Sequence, residues 1–361
     1  MIKFNQQPEC VRVAHYDKSI SNRMSWFHWK PFCKVCDEEY RLGCNSSRRI
    51  LERCRNVRFA YGSELAGEGM KHPLVVIIIL NWNGWKDTIK CLRSLRDVTY
   101  DNFHIVLIDN GSTDDSISEI LPHLDSRIFF FPNKENIGFA KGCNQGIEYA
   151  IDNMGADWVM LLNNDTFVDP NFLTEMMFGA ARNTRVGMIQ PLMLQLNNTR
   201  IIDSTGHIIS WGQVYDRDNG TLVHRNYSHG LIGCSGAAGL YRVDMIKEIG
   251  MLDESYSSGY EDSEYSWRAY NAGWKTAYDP DAIVLHKRGT SITKRMTDVN
   301  FTNTLFADAA RPCKTHGSPV HKLQLVIYSL YMAARSEAGY ILGRNNYGAT
   351  PSLKLLQEMF K

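Results

Sequence analysis

Short apolar runs alternate with polar turns and helical segments between residue 74 and about residue 180. Four runs have the length and the β-branched or aromatic character of buried strands: residues 74–80, 105–108, 128–131 and 158–162. Segments with helical character follow the first three runs, at residues 87–95, 116–121 and 136–153. This repeated order predicts an α/β fold with a right-handed, doubly wound sheet whose polar turns gather at one edge.

Composition and charge narrow the class of protein. The 361 residues carry 40 basic and 39 acidic side chains, a net charge of +1, so nucleic acid is not an expected partner. No apolar stretch approaches the ~18 residues needed to span a bilayer, and residues 1–10 lack the apolar core of a signal peptide. We therefore expect a cytoplasmic protein.

A change in character near residue 72 predicts three parts. Residues 1–70 form a Cys-rich extension, residues 72–292 the α/β domain, and residues 293–361 a C-terminal helical extension. Five of the nine cysteines precede residue 60, and Cys33 and Cys36 have the C-x-x-C spacing of a zinc knuckle. We favour reduced, unligated thiols; the alternative is a zinc site with further ligands from Cys44, Cys54, His15 and His28.

The fourth apolar run ends abruptly in Asn163, Asn164 and Asp165. Polar groups at the end of a buried strand lie where open α/β sheets bind their ligands. A carboxylate with neighbouring oxygen donors suits a hard divalent cation, which can in turn hold a diphosphate. On this segment alone, a solvated Asn-Asp turn is an equal alternative.

Two further polar features precede this segment. Asp109 ends the second run, where its carboxylate could accept a hydrogen bond from a nucleobase or ribose; a plain Asx-turn is the alternative. Gly138, Gly142 and Gly146 recur every four residues and permit close approach of a strand or a ligand. Neither the G-x-G-x-x-G fingerprint nor a P-loop is present, which disfavours a dehydrogenase and a P-loop kinase.

The second half of the domain carries three more features. Small residues at 233–239 leave room for a packed neighbour or a sugar. Asp262 lies at a predicted helix start, where acids are commonly simple caps, and Glu264 and Arg268 form an i, i+4 pair. His286 ends an apolar run; such a histidine is usually a packing residue, but beside a metal carboxylate it becomes a candidate ligand.

The order of these motifs resembles the inverting, GT-A-fold glycosyltransferases of family 2, particularly the rhamnosyltransferase-like branch. The matching elements are residues 76–84, 108–114, 136–144, 161–166 and 260–262, Trp267 with Arg268, and His286 with Gly289 and Ser291. Such an order of motifs is too specific for chance. The resemblance implies a Rossmann-like GT-A fold, with a mixed, mostly parallel sheet flanked by helices and with N- and C-terminal extensions.

The same resemblance implies a role for each motif. Asp165, with His286, would bind Mg²⁺ or Mn²⁺, and Asp262 would be the general base, with Glu261 as the competing carboxylate. Asp109 would face the donor base. The remaining candidates would line the nucleotide and sugar pocket or stabilise the leaving diphosphate: Asn81, Asn136, Gly138, Asn144, Asn164, Gly236, Lys287 and Arg288.

The expected function is transfer of a sugar from a nucleoside-diphosphate sugar, with dTDP-rhamnose as a candidate donor, to a hydroxyl of a cell-surface glycan, polysaccharide or lipid-linked acceptor. Two alternatives stay open. A sugar-nucleotidyltransferase would need a basic signature loop after its first strand, but the first cation there is Lys86. A catalytically inactive, sugar-nucleotide-binding partner subunit is disfavoured by the presence of Asp165, Asp262 and His286.

An apolar segment at 323–334, flanked by Lys322 and Arg335, is too short to span a membrane. It could lie at the inner surface of a bilayer, which would suit a lipid-linked acceptor. It could instead pack on the catalytic domain or on the partner in a homodimer, and we favour such packing.

Overall fold

The computed structural model describes residues 72–181, 184–224, 230–256, 259–288 and 299–341, together with residue 357. Its first half confirms the predicted alternation. The four predicted strands are β1 (Val75–Asn81), β2 (Phe103–Asp109), β3 (Ile128–Pro132) and β4 (Trp158–Leu162). They pair in parallel in the order β3-β2-β1-β4.

Helices cover both faces of these strands. The helices that follow the first three strands are α1 (Trp85–Arg96), α2 (Ser116–Ile120) and α3 (Phe139–Asp152). Ile77 and Ile79 of β1 pack in one core with Leu92 of α1, whereas Ile78 packs in the opposite core with Ile147 of α3. A strand that is buried on both faces needs a continuous apolar run, which is why β1 shows no polar alternation.

The second half extends the sheet with strands of both directions. They are β5 (Thr166–Val168), β6 (Val186–Gln195), β7 (Asn198–Ser204), β10 (Ala238–Arg242) and β11 (Lys275–His286). The order continues β4-β10-β6-β11-β5, and β7 pairs with the C-terminal part of β6. Strand β10 is antiparallel to both of its neighbours, whereas β11 is parallel to β6. The sheet is therefore mixed and mostly parallel, as predicted.

A separate hairpin and three helices complete this half. Strands β8 (His207–Ser210) and β9 (Gln213–Asp216) pair through a two-residue turn in which Trp211 and Gly212 both have positive φ. This is the backbone of a tight hairpin turn. The helices are α4 (Phe172–Ala181), α5 (Val243–Ile249) and α6 (Glu261–Asn271).

Two of the regularly spaced glycines let a helix approach a strand. A Cβ atom on Gly142 would lie 2.7 Å from Leu80 Cδ1, and one on Gly146 would lie 2.6 Å from Ile78 Cγ2. Both distances are too short for packed carbon atoms. The spacing thus brings α3 against β1, whereas Gly138, at the N-terminus of α3, has no atom within 4 Å of such a position.

The C-terminal segment forms two helices, α7 (Val299–His316) and α8 (Pro319–Ile341). Ala310 and Cys313 of α7 and Leu325 of α8 share a buried cluster with Trp267 of α6 and Val214 of β9. The predicted packing of this segment on the catalytic domain is therefore found for one side of α8. No helix in the described ranges is both long enough and apolar enough to cross a bilayer.

Some sequence predictions fall outside the described residues. They concern the extension at 1–70 with its cysteines, and the motif positions Gly289 and Ser291. The zinc alternative at Cys33 and Cys36 therefore stays a prediction. The cysteines that the structure does describe are buried free thiols: Cys91, Cys143, Cys234 and Cys313.

Candidate active site

The first polar cluster lies where β1 and β2 end side by side. Asn81 and Asp109 are register partners at these ends, and both are fully buried. The Asp109 carboxylate accepts hydrogen bonds from Asn81 Nδ2 at 2.7 Å and from the Ser112 backbone N–H at 2.9 Å. The Ser112 hydroxyl donates to it as well, at 2.7 Å. Asp109 thus fixes the turn after β2 and orients the Asn81 amide.

Asn164 joins this cluster from the neighbouring strand. Its Nδ2 donates to Thr88 Oγ1 at 2.9 Å and lies 3.4 Å from Asn81 Oδ1. Thr88, on α1, in turn donates to Asn81 Oδ1 at 2.7 Å. The polar ends of β2, β1 and β4 therefore form one hydrogen-bonded group, as expected for parallel strands that end at the same edge.

The loop before α3 lies beside the same edge. Asn110 Nδ2 donates to Asn136 Oδ1 and to the Gly138 carbonyl, both at 3.1 Å. Asn136 and Gly138 are therefore held next to Asp109, through the residue that follows it. Gly138 begins the helix with φ of 94°, a conformation that favours glycine.

Asn144 lies apart from this group. Its Nδ2 donates to the Leu252 carbonyl at 2.9 Å and to Glu254 Oε1 at 3.0 Å, and its Oδ1 accepts from the Leu252 N–H at 3.0 Å. The amide thus ties α3 to the loop after α5. This geometry gives Asn144 a structural role beside the predicted contact with the nucleotide, which stays a prediction.

Asp165 and His286 meet at the ends of β4 and β11. His286 Nε2 lies 3.3 Å from Asp165 Oδ1 and 3.5 Å from Asn163 Nδ2. The two backbones are also joined, because the Lys287 N–H donates to the Asp165 carbonyl at 3.1 Å. Asp165 and His286 belong to motifs that are 121 residues apart in the chain, and the sheet brings them into contact.

A buried carboxylate that the sequence did not single out completes this group. Asp203, at the end of β7, has Oδ2 2.8 Å from His286 Nδ1. Its Oδ1 accepts a hydrogen bond from Arg288 Nη1 at 2.6 Å. Asp203 therefore holds both the imidazole and the guanidinium in place.

These contacts shift two pKa values. Burial lowers the pKa of His286, but its hydrogen bonds to Asp165 and Asp203 and their charges more than offset this and raise the pKa to about 9. Burial raises the pKa of Asp203, yet His286 and Arg288 together hold it below its ordinary value. At neutral pH and without a bound cation, the His286 imidazole is therefore positively charged, with a proton on each ring nitrogen.

The donor atoms at Asp165 and His286 fit a divalent cation. Mn²⁺ accepts imidazole and carboxylate ligands, and Mg²⁺ prefers carboxylate oxygens. A histidine that binds metal usually has its other ring nitrogen on a carboxylate, which fixes the orientation of the ring. Asp203 occupies that position, so Nε2 faces Asp165.

The structure also contains a second acidic cluster. The carboxylate oxygens of Glu175, Asp279 and Asp281 lie within 4.8 Å of one another. Asp279 lies opposite Pro191 of β6 and His286 lies opposite Gln195, so about four residue steps, roughly 13 Å, separate the cluster from His286. This cluster is a separate candidate for a cation, away from the strand ends that carry the predicted motifs.

Lys287 and Arg288 differ in how they are held. Lys287 Nζ pairs with Asp87 Oδ2 at 2.8 Å on the surface. Arg288 pairs with Asp203 and also with Asp216, whose Oδ2 lies 2.9 Å from Arg288 Nη2. Lys287 and Arg288 thus follow His286 directly, and the side chain of each forms an ion pair with a carboxylate.

Asp262 lies in the first turn of α6 and contacts the small-residue run. Its Oδ2 accepts a hydrogen bond from the Gly236 N–H at 2.9 Å. A Cβ atom on residue 236 would lie 3.1 Å from Asp262 Cβ, so glycine is what allows this approach. The adjacent Glu261 is buried, and burial, with the charge of Asp262, raises the pKa of Glu261 to about 8.

A chain of charged side chains connects the two halves of the site. His207 Nε2 lies 3.8 Å from Asp262 Oδ2 and 3.6 Å from Asp216 Oδ1. Asp216 binds Arg288, Arg288 binds Asp203, and Asp203 binds His286. Asp165, His286 and Asp262 therefore lie on one continuous network, which we call the charged network. Its members are Asp165, His286, Asp203, Arg288, Asp216, His207 and Asp262.

Comparison with known proteins identifies the family of one segment. Residues 76–250 match the profile of the family described as Glycosyl transferase family 2. The segment of residues 76–250 belongs to glycosyltransferase family 2. Within the matched segment lie the polar strand ends, Asp165 and Gly236, whereas Asp262 and His286 follow it in the chain.

Two mycobacterial relatives are similar over much of their length. An N-acetylglucosaminyl-diphospho-decaprenol L-rhamnosyltransferase of Mycobacterium tuberculosis is 26% identical over 221 residues, which cover 55% of this chain and 71% of that protein. A pre-mycofactocin glycosyltransferase of the same organism is 24% identical over 268 residues, covering 72% and 52%. The nucleotidyltransferase alternative has no support among these findings.

The fold has a counterpart among solved structures. A mannosyltransferase of Pyrobaculum calidifontis, in complex with GDP-Man and Mn²⁺, is similar with a TM-score of 0.50 and 15% identity. The similarity covers 81% of this chain and 87% of that one. At this identity it shows the fold alone, and it confirms the GT-A fold predicted from the motifs.

Proposed function

We propose that this glycosyltransferase transfers a sugar from a nucleoside-diphosphate sugar to a hydroxyl acceptor, with inversion at the anomeric carbon. The observation that carries the proposal is the charged network, which joins a candidate cation site to a candidate base. One direct displacement needs both: stabilisation of the leaving diphosphate and removal of the acceptor proton.

The donor side follows from the positions of the strand ends. Asn81, Asp109, Asn136 and Gly138 lie together at the ends of β1 and β2, which supports a nucleoside pocket there. Asp165 and His286 would hold Mg²⁺ or Mn²⁺. Bound there, the cation would neutralise charge that develops on the leaving diphosphate. Lys287 and Arg288 stand beside it and would add two further positive charges.

The acceptor side depends on Asp262. The Gly236 N–H holds Oδ2 of Asp262, and the absence of a side chain at Gly236 leaves space beside this carboxylate. The side chain of Asp262 is 21% exposed, whereas Glu261 is buried and its raised pKa of about 8 keeps it mostly protonated at neutral pH. Both observations favour Asp262 as the group that removes the acceptor proton.

The donor is proposed to be a deoxythymidine-diphosphate sugar, with dTDP-rhamnose first. The support is the similarity to a rhamnosyltransferase that acts on a decaprenol-linked acceptor. The test is a screen of UDP-, dTDP- and GDP-sugars for binding and slow hydrolysis, with and without Mn²⁺. We expect cation-dependent binding of one nucleotide class. Binding without hydrolysis or transfer would favour the inactive partner subunit, and no binding would contradict the proposal.

We further propose that α8 lies on an anionic membrane surface, near a lipid-linked acceptor. One side of α8 is buried, but the other exposes a row of apolar residues: Val320, Leu323, Ile327, Leu330 and Tyr331. Lys322 lies within this stretch and Arg335 follows it, and residues 319–336 contain no acid. An anionic surface complements both cations.

Changing Leu323 and Ile327 to Glu is expected to abolish binding to vesicles that contain phosphatidylglycerol, because two charges would enter the contact. Cosedimentation with vesicles measures this binding, and vesicles of phosphatidylcholine alone serve as the uncharged reference. Leu222→Glu is the matched control, since Leu222 is 70% exposed but lies outside α8. A dimer that the double variant converts to a monomer, with unchanged vesicle binding, would assign this face to a second copy instead.

A further inference from the structure

The charged network contains a histidine that the mechanism above does not use. We infer that His207 is a positioning residue for Asp262, and that it makes the base responsive to the donor. This inference rests on the proposed role of Asp262. The observations that carry it are the placement of the His207 ring between two carboxylates and the contact of one of them with Arg288.

The backbone and the ring of His207 are both fixed. The His207 N–H donates to the Gly233 carbonyl at 2.9 Å, and the His207 carbonyl accepts from the Ile232 N–H at 2.9 Å. The side chain is 4% exposed, and Nδ1 lies 3.0 Å from Ser266 Oγ. Ser266 and Asp262 are one turn apart on α6, so both present their side chains to the same ring.

The second ring nitrogen has two acceptors in reach. His207 Nε2 lies 3.6 Å from Asp216 Oδ1 and 3.8 Å from Asp262 Oδ2. A ring nitrogen carries at most one hydrogen, so it can donate to only one of these carboxylates at a time. Asp216 Oδ1 is buried and has no hydrogen-bond partner within the described residues, and an unsatisfied buried acceptor favours a partner that comes into reach.

Asp216 links this choice to the donor side. Its other oxygen, Oδ2, accepts a hydrogen bond from Arg288 Nη2 at 2.9 Å. If Arg288 turns toward a diphosphate, Asp216 loses its nearest cation and becomes a better acceptor for His207 Nε2–H. Asp262 Oδ2 then loses its 3.8 Å contact with His207 Nε2 and keeps the hydrogen bond from the Gly236 N–H, and a carboxylate with fewer donors around it is the stronger base. Donor binding would thus strengthen the base before the acceptor arrives.

The experiment measures turnover and donor affinity separately, on the full chain, in His207→Gln, Asp216→Asn and the double variant. The affinity probe is the nucleoside diphosphate of the identified donor with Mn²⁺, by calorimetry. We expect His207→Gln to lower kcat about 10- to 100-fold, because the Gln amide nitrogen has two hydrogens, can stay on Asp262 and Asp216 together, and so no longer frees the base when the donor binds. Its dissociation constant should stay within about two-fold of the wild type.

The double variant tests the link between the two residues. If Asp216 acts through His207, adding Asp216→Asn to His207→Gln should lower kcat no further, a non-additive result. His224→Gln is the matched control, because His224 Nε2 lies 3.6 Å from Asp218 Oδ2, the same separation, in a pair that the charged network does not include. It should leave both quantities unchanged.

Three outcomes overturn the inference: wild-type kcat in His207→Gln, an equal loss of kcat and donor affinity in it, or additive losses in the double variant. Should His207→Gln fail to fold, Asp216→Asn decides alone, and an unchanged kcat overturns the inference. A wild-type protein that binds donor but never turns it over would contradict the proposed function instead, so the two failures are distinct.

Discussion

Changing Asp262 to Asn is expected to reduce sugar transfer by about 10²–10⁴-fold, the usual contribution of a positioned general base. Asn keeps the shape of the side chain but cannot take the acceptor proton. Donor affinity should be retained, because Asp262 contacts Gly236 and His207 rather than the strand ends at β1 and β2. Steady-state transfer and calorimetric binding of the nucleoside diphosphate measure the two effects.

Glu261→Gln is the matched comparison, one residue away on the same helix. The Glu261 carboxyl is buried, and its pKa of about 8 leaves it mostly protonated at neutral pH, so Gln resembles the form that is already present. Transfer should therefore persist in this variant. Loss of transfer on changing Glu261, with retention on changing Asp262, would assign the base to Glu261.

The placement of Asp109, Asp165 and His286 could be predicted because it depends on local patterns. An apolar run of strand length that ends in polar residues fixes both the strand and its end. Parallel strands then bring their carboxyl ends to one edge, so residues far apart in sequence become neighbours. The 3.3 Å separation of Asp165 and His286 follows from this rule together with the pairing of β5 with β11.

Asp203, Asp216 and His207 could not be predicted in the same way. They lie on β7, β9 and β8, which fold back beside the site. The sequence of a strand does not show which cation its carboxylate will contact. That contact depends on how distant strands pair and on where bulges occur. Asp203 follows two isoleucines in an edge strand. Its local sequence predicts only a polar residue at the end of a strand.

The sequence also does not distinguish polar residues that bind a ligand from those that bind each other. Asp109 and Asn81 were predicted as nucleotide contacts, yet in the structure they share a 2.7 Å hydrogen bond and are fully buried. Both kinds of residue occur at the ends of buried strands, where each polar group needs a partner. Their contact with a nucleoside stays a prediction.

The second prediction concerns the cation. Changing Asp165 to Asn should weaken Mn²⁺ binding in the presence of a nucleoside diphosphate by more than about 100-fold, since loss of an outer-shell partner alone commonly costs 10–100-fold. The substitution keeps the size of the side chain and removes the carboxylate that faces His286 Nε2. Electron paramagnetic resonance of free Mn²⁺ measures this binding directly, without reference to turnover.

Asp281→Asn separates the two places where the structure could hold the ion. Asp281 belongs to the acidic cluster with Glu175 and Asp279 and is only partly buried, so the variant should fold. We expect the Asp281→Asn variant to bind Mn²⁺ and nucleoside diphosphate as the wild type does. A cation that binds the diphosphate must lie next to the proposed nucleotide pocket, at the strand ends that carry Asp165. Loss of Mn²⁺ binding in Asp281→Asn, with wild-type binding in Asp165→Asn, would place the ion in the acidic cluster and leave His286 with a structural role alone.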